Sequence, residues 1–437
     1  MPWTVHTPTL TPRIAYSWEV LLHHLLKVDF RIETDAEVYR RSAGVCINYS
    51  SRRLRADEIF LPAGPLLLEA GLRAQPLAVF QHDGWPAFFA VAAADADLPF
   101  DLPALVFYLV TRYEEYLPHQ PDKHGRFRAE ESLASRYGFL QQPLVNQWAC
   151  HLRACVEARY GIALASSVYR FQPTFDVDMA WAYRYKGWGR NAGALLRSMA
   201  KGDWRDAQRR IQVASGRVDD PFFTFSYIER LHTQYGLQPI FFFLLGNYGV
   251  YDKNTSHRQP AMQQLIRRLH QRFPVGIHPS YRAAEADASL REEIRRLKVI
   301  IREPVLKSRQ HFLRLHFPHT YRALQVASIH ADYSMGFAQQ IGFRASIATP
   351  YPWYDLLAEQ ATSFMIHPFQ VMDVTLKHYL RLSPEEALQA VRLVIEATRE
   401  VGGVFSTIWH NSSFSSIDDW QPWGAVYESI LQMAASK

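Results

Sequence analysis

Apolar and polar positions along the chain change their pattern near residue 168. Before this point, short apolar runs alternate with polar turns and with two stretches of helical periodicity, over 102–117 and 145–160. After it, apolar strand-like runs alternate with helical patterns, and the run over 239–246 is apolar on both faces, as a buried parallel strand requires. Repeated strand–helix units of this kind predict a parallel sheet or a barrel of the βα type.

We therefore expect two domains, because a chain of 437 residues is too long for one ordinary core. The predicted fold class is α/β, with a smaller N-terminal α+β domain over residues 1–160 and a (β/α) barrel over residues 161–437. In the barrel, strands are predicted at 239–246, 275–278, 306–311, 328–332 and 404–410, and helices at 221–235, 260–273, 289–301, 321–326 and 385–401.

Two carboxylates one residue apart, Asp176 and Asp178, close the first strand-like run of the second domain. At the C-terminal end of a parallel strand, such side chains point into the crevice where α/β enzymes bind their substrates. Two acids on so short a piece of backbone repel each other unless a cation or a shared proton lies between them. Taken alone, the pair is better explained as a solvated strand-to-loop turn, where Asp is common.

Residues able to bind metals or protons recur at the C-terminal ends of the later predicted strands: His278, Arg309, His311, Asp332 and His410. A single histidine that closes an apolar strand is more often a packing residue than a ligand. Several strands that all place such groups at the same end are typical of a barrel active site. This shared placement makes a functional interpretation the better one.

Four short segments near these strand ends form a specific pattern: Thr174-Phe175-Asp176-Val177-Asp178, Gly276-Ile277-His278-Pro279-Ser280, Arg309, and Ile408-Trp409-His410-Asn411. Together they resemble the motifs of the polysaccharide deacetylase family, also called carbohydrate esterase family 4 or the NodB homology domain. The segments 332–337 and 342–345 resemble a variant branch whose members carry an N-terminal domain of unknown function. The segments 112–116 and 122–126 resemble that domain.

The resemblance implies a distorted (β/α) barrel of the NodB type that removes N- or O-acetyl groups from sugars with a divalent metal, often zinc. It implies that Asp176 is the catalytic base and that Arg309 orients it. It implies that His410 is the general acid, and that Asp178 and His278 bind the metal.

The third metal ligand departs from the family pattern. The usual motif is His-x-x-x-His, and Pro274, which cannot bind a metal, stands at the position we align with its first histidine. We expect His311, one strand further on, to replace the missing ligand, with His330 as the weaker candidate. Asp178 with two histidines makes a three-ligand site with an open position, which is the pattern of catalytic zinc.

Four further residues are predicted to contact the substrate: Arg344, Asp332, Trp409 and Asn411. The guanidinium of Arg344 suits a bidentate contact with a carboxylate or phosphate, although a structural salt bridge explains it equally well. Trp409 suits the wall of a sugar subsite, although core packing is the commoner fate of such a residue.

The loop 118–126 of the N-terminal domain carries His119, Asp122 and His124. These three side chains belong to residue types that bind metals. No apolar pattern fixes the loop, so we interpret it as a solvated surface loop.

The net charge of +6 bears on the partner. It suits an anionic or lipid-linked carbohydrate, and because no nucleic-acid motif accompanies it, nucleic acid is not an expected partner. The stretch 183–217 interleaves aromatic and basic residues. Three interpretations of it stay open: a lid that grips an anionic glycan, a peripheral contact with an anionic membrane, and a helical pair with solvated arginines.

The three cysteines form no disulfide or metal framework, and the N-terminal residues show no signal sequence, so we expect a cytoplasmic protein at or near the inner face of the membrane. The expected function is a metal-dependent hydrolase of amide C–N bonds. It would remove an acetyl group from an N-acetylated sugar or glycan intermediate in surface-polysaccharide or glycolipid biosynthesis. The alternatives are a catalytically degenerate glycan-binding barrel, supported by Pro274, and a membrane-docking scaffold.

Overall fold

Two large β-sheets and one two-stranded sheet organise the described part of the chain in the computed structural model, which describes residues 2–417 and 419–436. The strands before residue 160 are β1 (Trp3–His6), β2 (Phe30–Glu33), β3 (Cys46–Ser50), β4 (Ile59–Pro62), β5 (Phe80–His82) and β6 (Trp85–Ala87). The α-helices of this part are α1 (Pro12–Trp18), α2 (Ala36–Arg40), α3 (Leu102–Val110), α4 (Leu133–Arg136) and α5 (Leu144–Tyr160). Strands β2-β1-β3-β4 form a parallel sheet in that order, and β5 and β6 form a separate antiparallel pair.

The second sheet is built from strands after residue 168. These are β7 (Arg170–Val177), β8 (Ile240–Phe243), β9 (Val275–Ile277), β10 (Lys307–Ser308), β11 (Ala331–Asp332), β12 (Tyr351–Asp355), β13 (Gln360–Ile366), β14 (Val371–Met372) and β15 (Val404–His410). Within the described ranges their order is β12-β13-β11-β10-β9-β8-β7-β15-β14, and every neighbouring pair is parallel except β12 with β13.

Helices connect and cover the strands of this sheet. They are α6 (Trp188–Ala200), α7 (Trp204–Ala214), α8 (Phe225–Gln234), α9 (Pro260–His270), α10 (Asp287–Ile301), α11 (His319–Val326), α12 (Pro384–Glu400) and α13 (Trp423–Ala435). In residues 2–417 and 419–436, no helix combines the length and the apolar character that a membrane crossing needs.

The second sheet is strongly curved, as a hydrogen bond from Arg309 across its interior shows. This residue follows β10, and strands β9 and β8 separate β10 from β7. Its Nη1 nevertheless donates to Oδ1 of Asp176 on β7 at 3.0 Å, so the guanidinium spans the inside of a curved sheet. The parallel strands, the connecting helices and this curvature confirm the predicted α/β class with a distorted (β/α) barrel.

The two sheets share one hydrophobic core. Buried residues from β1 and from the barrel strands belong to the same apolar cluster. Polar contacts join the two parts as well, because the hydroxyl of Tyr16 donates to the carbonyl of Pro352 at 2.7 Å and Arg344 pairs with Glu115. Helix α5 ends at Tyr160 with Gly161 in the left-handed conformation, but the continuous core leaves the domain boundary at residue 160 a prediction.

The predicted helix 102–117 is shorter than expected. It ends at Val110, and Arg112 takes a left-handed backbone conformation with φ of 56° before a short 3-10 turn over Tyr113–Tyr116. The cause is an ion-pair network, because the buried guanidinium of Arg112 binds Glu114 and Glu115. The stretch 183–217 contains α6 and α7, which agrees with the helical part of its interpretation.

Candidate metal centre

Strand β7 carries the two carboxylates to the rim of the barrel. Alternate residues of a strand face the same side of the sheet. Thr174 and Asp176 both accept a hydrogen bond from Arg309 inside the barrel, so Asp178, one alternation further on, faces the same interior. Asp176 is buried, whereas the side chain of Asp178 is 32% exposed. The carboxylate that is predicted to bind metal is therefore the one nearer the opening.

Three side chains from different strand ends converge on one point. Nε2 of His278 lies 3.2 Å from Oδ1 of Asp178, and Nε2 of His311 lies 3.7 Å from Oδ2 of the same carboxylate. The candidate ligand atoms of these residues all lie within 4.8 Å of one another. Ligand atoms held at about 2.0–2.2 Å from one tetrahedral ion lie roughly 3.4 Å apart. The spacing thus suits a single divalent cation.

The second nitrogen of each imidazole is already held by the protein. Nδ1 of His278 lies 2.6 Å from the carbonyl oxygen of Arg309, which can only accept a hydrogen bond. Nδ1 of His311 lies 2.9 Å from Oδ1 of Asp252. A hydrogen bond of this kind fixes the tautomer, so that Nε2 carries the lone pair that a metal needs.

The charges of the centre also favour a cation. Although burial acts the other way, His311 and His278 hold the pKa of Asp178 well below its usual range. Against the effect of burial, Asp178 and Asp252 raise the pKa of His311 to about 9. Among the described residues, Oδ1 of Asp178 is buried without a hydrogen-bond partner. One orphaned carboxylate oxygen and two imidazoles fit zinc or a similar divalent ion.

Asp176 lies beside these three residues and is bound to Arg309. Nη1 of Arg309 donates to Oδ1 of Asp176 at 3.0 Å and to the hydroxyl of Thr174 at 2.7 Å. Arg309 is fully buried, its guanidinium lies over the ring of Phe242, and burial lowers its pKa. The other carboxylate oxygen of Asp176 faces Nε2 of His278 at 3.7 Å. One oxygen is therefore held and the other faces the centre.

His410 approaches the same point from strand β15. Its Nε2 lies 3.8 Å from Oδ2 of Asp178, and its Nδ1 lies 2.9 Å from Oδ1 of Asp373. Burial lowers the pKa of His410, but Asp373 and then Asp178 outweigh it and raise the pKa to about 10. The structure therefore brings together all six residues predicted for catalysis and metal binding: Asp176, Asp178, His278, Arg309, His311 and His410.

The expectation that Pro274 stands in place of a metal ligand is corrected by its position in the fold. Pro274 precedes β9, and its carbonyl accepts a hydrogen bond from the amide of Phe241. His278 follows the other end of this strand, so the two positions are separated by roughly 13 Å of extended chain. A histidine at residue 274 could not reach the centre, and its absence removes no ligand. His330 is exposed and precedes β11, at the opposite end from the centre.

The four residues predicted to contact the substrate lie in the protein interior, which corrects those predictions. Arg344 binds both oxygens of Glu115 through Nε and Nη2 at 2.9 and 2.5 Å. Asp332 is fully buried and accepts hydrogen bonds from Ser308 and Ser334. The side chains of Arg344 and Asp332 are therefore already bound to structural partners.

The other two of these residues are on β15 or directly after it. Trp409 is fully buried with its ring 4.9 Å from that of Tyr427, because strand alternation turns it away from the interior that His410 faces. Asn411 is buried and donates to the carbonyls of Met179 and Phe222. It ties the loop after Asp178 to the end of β15, and it contacts no open space.

Two functional residues were missed in the sequence. Asp252 and Asp373 orient His311 and His410, yet neither ends a strand that the apolar pattern predicts. Asp252 lies in the long connection after β8, and Asp373 follows β14, a strand of two residues. The dipeptide Asp-Val occurs at both Asp176-Val177 and Asp373-Val374, but so short a repeat is too weak a signal to predict a functional role for Asp252 or Asp373.

A cavity of about 750 Å³ lies between α7 and the connection that follows β15. Met179, which directly follows Asp178, and Phe222 line it. Arg210 pairs with Asp206 there, whereas no described acidic residue lies within ion-pair distance of Arg205 or Arg209. The basic residues of the lining are Lys186, Arg205, Arg209 and Arg210, and the acidic ones are Asp203, Asp206 and Asp419.

Comparison with known proteins finds a family model that matches the N-terminal part and several solved structures that are distantly similar to the chain. DUF7033, a family of unknown function, matches residues 3–161. No curated protein matches the chain. A proposed polysaccharide deacetylase from Mycobacterium smegmatis shares 16% sequence identity over 63% of this chain and 87% of the other, with a TM-score of 0.41.

Two other solved structures also match. The polysaccharide deacetylase Bc1974 from Bacillus cereus shares 11% identity over 61% of this chain and 86% of the other, with a TM-score of 0.29. A 4-alpha-glucanotransferase from Thermococcus litoralis shares 14% identity over 62% of this chain and 38% of the other, with a TM-score of 0.37. Likeness at this level carries no argument about the function, which must be argued from the site.

Proposed function

We propose that this protein is a metal-dependent hydrolase that removes an acetyl group from an N-acetylated sugar or glycan intermediate. The observation that carries the proposal is the convergence of Asp178, His278 and His311 between an arginine-bound carboxylate, Asp176, and a carboxylate-bound imidazole, His410. A metal site flanked by one proton acceptor and one proton donor is what amide hydrolysis needs.

Asp178, His278 and His311 would hold the ion, and zinc is the best match to one carboxylate and two imidazoles. When bound, a divalent ion supplies Lewis acidity, which lowers the pKa of water from about 15.7 towards roughly 7 and polarises the amide carbonyl. Asp252 and the carbonyl of Arg309 keep both imidazoles in the tautomer that binding requires.

Asp176 would act as the general base. Arg309 binds one of its oxygens and offsets its negative charge, which leaves the other oxygen free to accept a proton from the attacking water. The oxygen of that water forms a bond to the acetyl carbon, and the proton passes to Asp176.

His410 would act as the general acid. Asp373 holds its Nδ1, and its Nε2 faces the centre. As the bond between the carbonyl carbon and nitrogen breaks, the proton on Nε2 passes to the leaving nitrogen, which is otherwise too basic to depart. The products are acetate and a free amine.

Metal content and acetate release test the proposal together. The purified full-length chain, stripped and reloaded with zinc, should hold about one ion per chain and release acetate from an N-acetylglucosamine oligomer. Asp176→Asn should keep the ion and lose activity about a hundred- to ten-thousandfold, whereas His330→Ala, at the opposite end of the barrel, should change neither. Failure of the wild-type chain to take up zinc would refute the proposal.

We further propose that the substrate is anionic or lipid-linked, and that the protein acts in the cytoplasm at the inner face of the membrane. Support comes from Arg205 and Arg209, which line a cavity together with Met179, the residue after Asp178, and from the exposed apolar side chains of Leu196 and Trp204 on α6 and α7. Arg209→Ala should raise KM for an acidic N-acetylated oligosaccharide and leave KM for a neutral one unchanged. Co-sedimentation with anionic lipid vesicles tests the membrane contact.

A degenerate glycan-binding barrel is the second candidate, and it was motivated by Pro274. That motive weakens because residue 274 lies at the wrong end of β9 to bind a metal. A chain that binds both zinc and an N-acetylated glycan, but releases no acetate from neutral or acidic substrates, would establish this alternative instead.

A further inference from the structure

The backbone directly after His311 is strained. Phe312 and Leu313 both take the left-handed conformation, with φ of 59° and 56°. Bulky L-residues avoid this region, and such a conformation persists only where neighbouring contacts hold it. His311 is the first residue of the same short turn, His311–Leu313. The direction of its imidazole therefore depends on how firmly this turn is held.

A loop from the N-terminal part of the chain holds the turn. Nη1 of Arg126 donates to the carbonyl of Phe312 at 3.0 Å. The ring of His124 lies 4.8 Å from that of Phe312. Nε of Arg314, directly after the turn, donates to the carbonyl of His124 at 2.9 Å. The strained residues are thus bound through backbone and ring by residues about 190 positions earlier in the sequence.

The loop is itself rigid and anchored. Oδ1 of Asp122 accepts from the amides of His124 and Arg126, and Oδ2 accepts from Nε of Arg126 at 2.8 Å. Gln339 donates to Asp122 at 2.9 Å, and Nη2 of Arg126 donates to the hydroxyl of Tyr379 at 3.2 Å. Three separate barrel connections, those after β10, β11 and β14, therefore meet this loop. It is not the solvated loop that the sequence predicts.

We infer that the loop 122–126 is a positioning element of the metal centre, with Arg126 as its principal residue. Arg126 fixes the turn at Phe312, and Asp252 fixes Nδ1 of His311, so the imidazole is restrained at its backbone and at its ring. The inference rests on the proposed metal site. It assigns a role to residues 3–161, which match a family of unknown function. This part of the chain would complete a centre whose ligands all come from the barrel.

The test compares zinc affinity among full-length variants, measured by competition with a chromophoric chelator. Arg126→Ala should weaken zinc binding about ten- to a hundredfold. Arg126→Lys, which keeps one donor for the carbonyl of Phe312, should recover part of that loss. Arg128→Ala is the matched control, because Arg128 is two residues away and pairs with the exposed Glu130 instead of the barrel; it should bind zinc as the wild type does.

Acetate release at rising zinc concentration provides the second readout. The activity of Arg126→Ala should approach that of the wild type at saturating zinc, because Arg126 touches no reacting atom. Unchanged zinc affinity in Arg126→Ala would overturn the inference, whether or not its melting temperature is lowered, and so would an Arg126→Lys variant that recovers none of the lost affinity. If the wild-type chain binds no zinc, the proposed function itself fails and the inference fails with it; if the wild type binds zinc and the Arg126 variants bind it equally well, only the inference fails.

Discussion

Replacement of Asp373 by asparagine should separate proton donation from metal binding. Four donors point at this buried carboxylate: the ring Nδ1 of His410 at 2.9 Å, the backbone amides of His410 and Val374 at 2.8 and 2.7 Å, and the hydroxyl of Ser413 at 2.5 Å. An asparagine side chain has one oxygen and one NH2 group. Its NH2 group must face at least one donor, and the arrangement that spares the backbone amide of His410 turns the NH2 group towards Nδ1 of His410 and the amide of Val374.

The size of the effect follows from this mismatch. An NH2 group opposite Nδ1 donates a hydrogen bond to it and so favours the neutral imidazole, whose proton is on Nε2. The substitution also removes the negative charge that keeps the imidazole protonated. His410 would then be neutral, and the proton left on Nε2 of a neutral imidazole is far too weakly acidic to be donated in the proposed reaction. Loss of a general acid costs about a hundred- to ten-thousandfold in rate, which is about 3–5 kcal/mol of transition-state stabilisation.

The assay measures kcat for acetate release at saturating zinc, together with zinc affinity. Asp373→Asn should lower kcat by this factor and bind zinc within about threefold of the wild type. Asp252→Asn is the matched variant, since Asp252 holds His311 in the same way; it should weaken zinc binding about ten- to a hundredfold and recover kcat at high zinc. Equal loss of zinc affinity in both variants would refute the separate roles of His410 and His311.

Three further predictions concern the ion, the core and pH. His278→Ala should bind less than a tenth of the zinc held by the wild type at equal free zinc, and retention of one ion per chain by mass spectrometry would contradict its role as a ligand. Arg344→Ala should destabilise the chain by about 3 kcal/mol, because it removes two hydrogen bonds to the buried carboxylate of Glu115, which then pairs with Arg112 alone; a melting temperature close to that of the wild type would argue against this. Burial lowers the pKa of His232 to about 4, so below pH 6.5 the unfolded chain binds a proton at this residue more readily than the folded chain does. As the pH falls from 7 to 5, His232 should therefore lower the free energy of unfolding by about 2 kcal/mol. His232→Gln should lose that share of the pH dependence, and an identical dependence in both chains would contradict it.

The barrel was predictable because its signals are local and repeated. Strand β8 is apolar on both faces, and two other barrel strands, β9 over Val275–Ile277 and β15 over Val404–His410, begin and end close to the predicted residues. Ligands at the ends of such strands can be inferred from sequence, since parallel strands bring their C-terminal ends to one rim. His278 and His311 follow adjacent strands and meet for this reason.

Residues that act through long connections were not predictable in the same way. Asp252, Asp373 and Arg126 all reach the centre through segments without a regular pattern, and their partners are fixed only by the folded chain. The reverse error affected Arg344 and Trp409, whose chemistry suits a substrate. Arg344 is neutralised by Glu115, more than two hundred residues away, and Trp409 faces the helices. Chemistry alone does not reveal which side of a strand or which distant partner a residue has.

The spacing of the two acids explains why this centre can form without distortion of strand β7. In an extended strand, residues two apart face the same side, so Asp176 and Asp178 both face the barrel interior, where Arg309 and the histidines lie. Phe175 and Val177 face the opposite side and are fully buried in the apolar layer under the helices. An acid at residue 177 would instead be buried in that layer, where nothing offsets its charge. The intervening valine thus lets one straight strand carry a base and a ligand while it completes the core behind them.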